Sequence, residues 1–100
     1  MSSLKEITSC LGYQQITSLS SSTALTVPST NAEGTACKPR AALIVAETQG
    51  VRWRDDGTAP TASVGMPLAA GDPLFYDGDL TKIRFIEQTG SATLNVSYYA

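Results

Sequence analysis

The amino-acid sequence predicts an all-β protein: a small antiparallel β-sandwich (jelly-roll or immunoglobulin-like), or a barrel, of about seven or eight strands. Apolar and polar residues alternate in several short runs, which is typical of half-buried strands. Turn signals rich in Gly, Pro and Asp recur about every ten residues between these runs. Helical spacing is confined to Leu4, Ile7 and Leu11, and Gly12 ends that run.

Length and composition predict one domain. The chain has 100 residues, and 42% of them are hydrophobic, which is enough for one modest core. A domain of this size buries roughly 65% of the surface that its unfolded chain exposes. We expect an extended N-terminal arm over residues 1–12 and a single β-sandwich domain over residues 13–100. The first residues lack the pattern of a secretion signal, which favours folding in the cytoplasm.

The first part of the sequence predicts two strands and a long loop. Residues 13–19 favour a first strand. Leu25 and Val27 share one face of a second strand, which Pro28 ends. Residues 29–40 show no apolar period, and their length is near the upper limit for a loop in a compact domain. Loops of that length tend to be functional or to be ordered by a partner.

The middle of the sequence predicts a central strand, a second strand and a turn. Residues 42–48 are apolar on both faces, as in a strand at the centre of a sheet. After a break at Gly50, Val51 and Trp53 share one face of the next strand and alternate with two arginines. The Asp-Asp-Gly sequence at 55–57 favours a tight turn, because Asp-Gly tolerates the positive φ that hairpin turns need.

The second half predicts a series of short strands. Residues 58–64 extend again, and Pro60 places them at an edge or in an irregular segment. Residues 74–76 form a short strand, and residues 82–87 alternate between apolar and basic side chains. Over residues 92–99 the even-numbered residues share one face, which is apolar, and the odd-numbered residues share the opposite face.

The predicted core collects the apolar residues of these runs. It consists of Leu25, Val27, Leu43, Val45, Val51, Trp53, Val64, Leu74, Phe75, Ile83, Phe85, Leu94 and Val96. Burying each of these side chains contributes about 1.5–3 kcal/mol, and the total is on the scale needed to offset chain entropy. We therefore expect a thin margin of stability, to which contacts within an oligomer would add.

The absence of histidine excludes several kinds of chemistry. Histidine-based nucleophile triads, histidine metal sites and the usual pH switch all require that residue. Cys10 and Cys37 are too few for a zinc site and form no CxxC motif, so we interpret them as free thiols. The sequence predicts no catalytic residue, no metal ligand and no cofactor, and we expect the protein not to be an enzyme.

Aspartates in the second half are the strongest competing signal. Asp55, Asp56, Asp72, Asp77 and Asp79 all lie in turns beside Gly or Pro, where Asp commonly accepts hydrogen bonds from its own backbone. One alternative is a calcium site built on Asp77 and Asp79, with help from the other turns. Another is a pair of glycosidase carboxylates. We interpret them as turn residues and keep a calcium- or carbohydrate-binding β module as an alternative function.

Candidate interaction residues come from the alternating strands and from the C-terminal end. The basic residues of two strands would form a stripe if those strands are neighbours, and such a stripe fits a solvated face, a subunit contact or nucleic acid. The net charge of −2 argues against nucleic acid as the partner. The last strand is expected to offer its edge to another subunit. The interaction residues predicted in this way are Arg52, Arg54, Lys82, Arg84, Tyr98 and Tyr99.

Several segments together resemble a known group of proteins. These are the Val-Arg-Trp-Arg-Asp-Asp-Gly-Thr-Ala-Pro-Thr-Ala sequence at 51–62, Gly-Met-Pro-Leu at 65–68, residues 79–86, and Leu-Asn-Val-Ser-Tyr-Tyr at 94–99. Over residues 13–100 the sequence resembles small virion structural proteins of tailed bacteriophages. The resemblance implies a capsid decoration or cement protein, or a small head-to-tail, tail or fibre-associated component. It carries no catalytic residue to this chain.

The resemblance also implies partners and a location. The expected partners are the major capsid protein or other virion subunits, and the protein is expected to form a homo-oligomer. Nucleic acid and membranes are not expected partners. The expected location is the virion, which is assembled in the host cytoplasm. Low charge, an all-β core and ends able to dock on neighbours agree with a part that works by being bound.

Overall fold

The protein is built from eight strands in two antiparallel sheets, which confirms the predicted all-β sandwich. The computed structural model describes residues 9–100, and this range contains no helix. The strands are β1 (Cys10–Ile16), β2 (Thr23–Ala24), β3 (Ala41–Glu47), β4 (Val51–Arg54), β5 (Met66–Leu68), β6 (Pro73–Tyr76), β7 (Arg84–Glu87) and β8 (Thr93–Tyr99). The first sheet has the order β1-β8-β3-β6, and the second sheet has the order β2-β7-β4-β5.

One hydrophobic core lies between the sheets. The largest fully buried side chains come from both sheets and from the residues that flank their strands. They are Tyr98, Phe85, Leu19, Ile44, Ile83, Leu94, Val51 and Val96. Five of these, Val51, Ile83, Phe85, Leu94 and Val96, were predicted from the alternation of the sequence. The antiparallel pairing accounts for that success, because alternate residues of each strand point to opposite faces.

The inward face of β3 is the reverse of the predicted one. Ala42 and Ile44 are fully buried, whereas Leu43 and Val45, which were predicted to be core residues, are only half-buried. The reason lies in the neighbouring strands. Ala42 lies directly opposite Tyr98 of β8 on one side and directly opposite Tyr76 of β6 on the other, and both tyrosines are buried. The two large tyrosine rings fill the space beside the small side chain of Ala42. This side of β3 can therefore pack tightly against the core.

Val64 is a second correction to the predicted core, since its side chain is 53% exposed. The segment that carries it forms no strand, and Thr61 and Val64 exchange backbone hydrogen bonds of 2.8 and 3.2 Å in a local turn. This turn points the valine side chain towards solvent. Phe75 was also predicted to be a core residue, but it is half-buried and lies on the outward side of β6, directly opposite Leu43.

The ends of several strands differ from the predicted ones. β1 begins at Cys10, so the last residues of the predicted arm belong to the sheet, while residues 1–8 of that arm lie outside the described residues. Ser9 and Ala100 extend the pairing of β1 with β8 by two backbone hydrogen bonds. Lys82 precedes β7 instead of opening it, because its N–H is held by the carbonyl of Asp79 in a turn.

Candidate interaction surfaces

Eight outward-pointing side chains of the first sheet lie in two rows that cross all four strands. One row contains Tyr13, Ser97, Leu43 and Phe75, and the next contains Gln15, Asn95, Val45 and Pro73. Residues directly opposite one another in an antiparallel sheet point to the same side, so all eight side chains share one surface. We call these eight residues the outer face.

Asn95 organises the polar half of the outer face. Its Oδ1 accepts hydrogen bonds from the phenol of Tyr13 and from Nε2 of Gln15, the second at 3.1 Å. Its Nδ2 donates to Oε1 of Glu47 at 2.8 Å. The network joins β1, β8 and β3, and it fixes the direction in which the Asn95 amide points.

The other half of the outer face is apolar. Leu43, Val45 and Phe75 are half-buried, yet they are absent from the core cluster and from the apolar residues packed against it. Their remaining apolar surface therefore faces away from the core. Tyr13 adds an aromatic ring that is 63% exposed at the edge of the sheet.

None of the eight residues of the outer face is charged, and the charged group next to them on the same side of the sheet is Glu47, which binds Asn95. All eight are polar, aromatic or aliphatic, and Glu47 flanks them at the end of β3. Depletion of charge together with enrichment in aromatic residues is the compositional mark of the centre of a protein–protein interface. The geometry of this surface therefore suits contact with another protein.

Three of the four predicted basic residues lie on one side of the second sheet. β4 and β7 are neighbours, with Arg54 directly opposite Arg84, so both side chains point to the same side of the sheet. Arg52, which is opposite Ile86, lies on that side too. The structure thus brings these three arginines together, whereas Lys82 lies outside the sheet in the turn before β7.

Two of these arginines bind residues of their own chain. Arg52 donates to the carbonyl oxygens of Ala62 and Gly65, at 3.1 and 2.9 Å. Arg54 forms a two-bond ion pair with Asp56, and its hydrogen bond to that carboxylate holds the pKa of Asp56 below its ordinary value. The same hydrogen bond raises the pKa of Arg54. The basic stripe is therefore largely used within the chain.

The tyrosines of β8 do not form an accessible edge. β8 lies between β1 and β3, and the side chain of Tyr98 is 1% exposed, with its hydroxyl donating to Oε1 of Gln14 at 2.7 Å. Tyr98, which was predicted to be an interaction residue, is thus buried in the core and is not accessible at the surface of the sandwich. Tyr99 points to the opposite side of the sheet and is half-buried, directly opposite Cys10 and Ala41.

Two of the aspartate turns are held by hydrogen bonds to their own aspartates. Asp56 accepts from the backbone N–H of Thr58, and Asp79 accepts from the N–H and hydroxyl of Thr81. These bonds to Thr81 lower the pKa of Asp79. No three Cys, Asp or Glu side chains within residues 9–100 are grouped so that they could hold a metal ion.

A groove opens at the side of the sandwich beside β4 and β5. It has a volume of about 490 Å³, and its walls include Trp53, Arg54, Asp56, Val64 and Met66. The indole of Trp53 packs against the core on one side, and its ring centre lies 6.1 Å from that of Tyr76. Trp53 was predicted to be a core residue, and it is only partly buried there. The exposed part of the indole is available to a ligand.

Most residues of the outer face were not singled out from the sequence. Asn95 was assigned to the outward side of the last strand, yet its partners on β1 depend on a register that local patterns do not give. The burial of Tyr98 could have been predicted from the sequence, because the same alternation that buries Leu94 and Val96 also turns Tyr98 inward. The outward direction of Leu43 was hidden because both faces of its strand are apolar.

Comparisons with known proteins assign no relatives to this chain. No protein-family model matches it, and neither a curated protein nor a solved structure does. Among residues 9–100 there is no helix long and apolar enough to cross a membrane.

Proposed function

We propose that the protein is a non-enzymatic virion structural protein that binds the capsid of a tailed phage and stabilises it, as decoration or cement proteins do. The observation that carries this proposal is the uncharged outer face, on which Tyr13, Leu43 and Phe75 lie in one cross-strand row. The resemblance of residues 13–100 to phage virion proteins supplies the setting. The major capsid protein is then the partner.

The composition of the outer face suits such a partner. The centre of a protein–protein interface excludes charge, because each charged group would have to lose its water on binding. Aromatic side chains there contribute a large contact area. A capsid repeats its subunits many times, so each copy needs only a weak contact when the copies also contact one another.

The test is a binding experiment with purified shells. The wild-type protein should sediment with preformed capsids of its phage, and Val45→Lys, which places a charge at the centre of the outer face, should not. Thr58→Lys adds the same charge in an exposed turn of the β4–β5 connection and should bind like the wild type. Equal binding by both variants would remove the outer face from the proposal.

Copy number separates the virion alternatives. A decoration protein occurs in hundreds of copies over the shell, whereas a head-to-tail, tail or fibre-associated component occurs in a few copies set by a ring or a tip. An electron-microscopy map of the particle would give both number and place. Finding no copies in purified particles would end the virion proposal.

A carbohydrate-binding module is the second candidate, because the groove beside Trp53 places an indole next to an Arg–Asp pair. An aromatic wall with a few polar groups is the usual make-up of a small-molecule site. Trp53 is the single tryptophan of the chain, so its fluorescence reports directly on this groove. A saturable change on titration with oligosaccharides would favour this candidate, and no change would oppose it.

A further inference from the structure

The four strands at the edges of the two sheets differ in how well they are protected from pairing. β2 has two residues, β5 has three and contains Pro67, and β6 begins with Pro73. Short edges and prolines are ordinary devices against the addition of a further strand. β1 (Cys10–Ile16) has seven residues with neither proline nor charge. Its edge is therefore the least protected of the four.

The free side of β1 makes no backbone hydrogen bond to the rest of the described chain. β1 pairs with β8 on one side, and the bonds outside the sheets involve none of its residues. The nearest segment contacts β1 through a side chain, since the N–H of Thr26 donates to Oε1 of Gln14 at 3.1 Å. A bulge between Cys10 and Gly12 interrupts the first part of the strand. Residues 13–16 remain regular.

A groove runs along this edge. It has a volume of about 250 Å³ and lies between residues 11–14 on one side and parts of the segment 26–32 on the other. Tyr13 and Gln14 belong both to the wall of this groove and to the regular part of β1, so a strand added at residues 13–16 would pass beside the groove. Both backbone and side-chain contacts are therefore available there, as in recognition by strand addition.

We propose that β1 pairs with β1 of a second copy of this chain, in an antiparallel arrangement about a two-fold axis. The pairing segment, residues 13–16, is uncharged, so two copies meet without repulsion between like charges. The pairing satisfies the free backbone groups of both edges. It also joins the two outer faces, since Tyr13 and Gln15 belong both to β1 and to the outer face, and the result is one continuous surface over eight strands.

Pairing through the edge of β1 does not require a role in the virion. The test is sedimentation equilibrium of the purified protein, without capsids, from about 1 µM to about 1 mM. This range covers weak and moderate dissociation constants of the dimer. The wild type should form dimers within this range. Gln15→Lys should raise the dissociation constant at least about tenfold, because an edge lysine opposes strand pairing. Thr58→Lys, with the same change of charge in an exposed turn, should dimerise like the wild type.

Amide hydrogen exchange of the wild type gives a second readout that needs no variant. Exchange in residues 13–16 should slow as the protein concentration rises, while residues 66–68 of the proline-containing edge β5 should not change. A monomer throughout the concentration range overturns the proposal, and so does a dimer that Gln15→Lys leaves intact while residues 13–16 exchange at a constant rate. A constant exchange rate in a dimer would place its interface elsewhere.

Discussion

The phenol of Tyr76 donates a hydrogen bond of 2.7 Å to Oδ2 of Asp55 and so ties the first sheet to the turn that follows β4 of the second. Tyr76 is buried, and its ring meets the indole of Trp53 edge to face. This contact closes one side of the sandwich beside the groove of Trp53.

Removing this hydrogen bond should lower stability. We expect Tyr76→Phe to reduce the free energy of unfolding by about 1 kcal/mol, because Asp55 is exposed and water can replace the phenol there. Urea unfolding followed by tryptophan fluorescence measures the change. Tyr99→Phe, which removes a hydroxyl with no hydrogen-bond partner among residues 9–100, is the control and should change stability little. Equal effects of the two substitutions would argue against the tie.

Gly78 should not tolerate a side chain. A Cβ at this position would lie 2.6 Å from Cζ of Tyr76, so the ring or the backbone would have to move. We expect Gly78→Ala to cost about 1–3 kcal/mol, as overpacking does. Gly90 has no atom within 4 Å of a Cβ placed on it, so Gly90→Ala is the matched control and should cost far less. A thermal unfolding scan of both variants would compare them directly.

Stability should fall in alkaline solution. Burial, and then the hydrogen bond to Asp55, raises the pKa of Tyr76 above its ordinary value, and burial raises the pKa of Tyr98 to about 12. Both phenols thus hold their protons more tightly in the folded state than in the unfolded state, where the pKa is about 10. Their contribution is complete below pH 10 and is lost as the pH rises above it. Urea midpoints between pH 9 and pH 12 should decline more steeply for the wild type than for Tyr76→Phe, and parallel curves would contradict the shift at Tyr76.

Truncating two neighbouring residues of β3 tests which face looks inward. Ile44→Ala should cost about 2–5 kcal/mol, because it leaves a cavity in the core. Leu43→Ala should cost about 1 kcal/mol or less, because the side chain is half-buried on the outer face and little apolar area is lost. Urea denaturation gives both values. The reverse order would mean that the register of β3 is wrong.

The guanidinium of Arg52 should order the segment between β4 and β5. Its two bonds to the carbonyls of Ala62 and Gly65 hold an otherwise irregular stretch against the sheet. Arg52→Gln should therefore speed amide exchange over residues 61–65. Arg84→Gln, at an exposed position on the same sheet, should leave that exchange unchanged. If exchange in the segment does not respond to Arg52→Gln, the two bonds do not order it.

Local patterns predicted the architecture well, because alternation and turn chemistry act within a few residues. The chain bends at residues 56–58, with Gly57 at a φ of 89°, although β4 and β5 are joined by the longer connection 55–65 and not by a tight hairpin turn. The burial of Leu94 and Val96 follows directly from the period of two. The position of β8 inside the first sheet depends on which strands pair, and no local pattern encodes that. The last strand was therefore predicted to be an exposed edge, whereas β8 lies inside the first sheet.

The candidate surface was harder to predict than the fold. A strand that is apolar on both faces leaves the choice of inward side to its neighbours, and at Ala42 two tyrosines from other strands decide it. Similarly, the alternation placed three arginines on one face, but the bonds of Arg52 to a distant turn appear only in three dimensions. Long-range contacts thus separate the residues that support the fold from those that are available to a partner.

The pairing of β1 with β8 sets the order in which the molecule can be completed. Ile16 pairs with Leu94, so β1 can enter its sheet only after β8, which lies much later in the sequence, has also been made. Bringing β1 and β8 together closes a long loop, and the chain loses conformational entropy before the contacts between the strands stabilise it. This step is therefore slow, as in other proteins of high contact order. Until then the uncharged stretch of residues 13–16 has both edges exposed, and rapid synthesis or high concentration should favour aggregation through it.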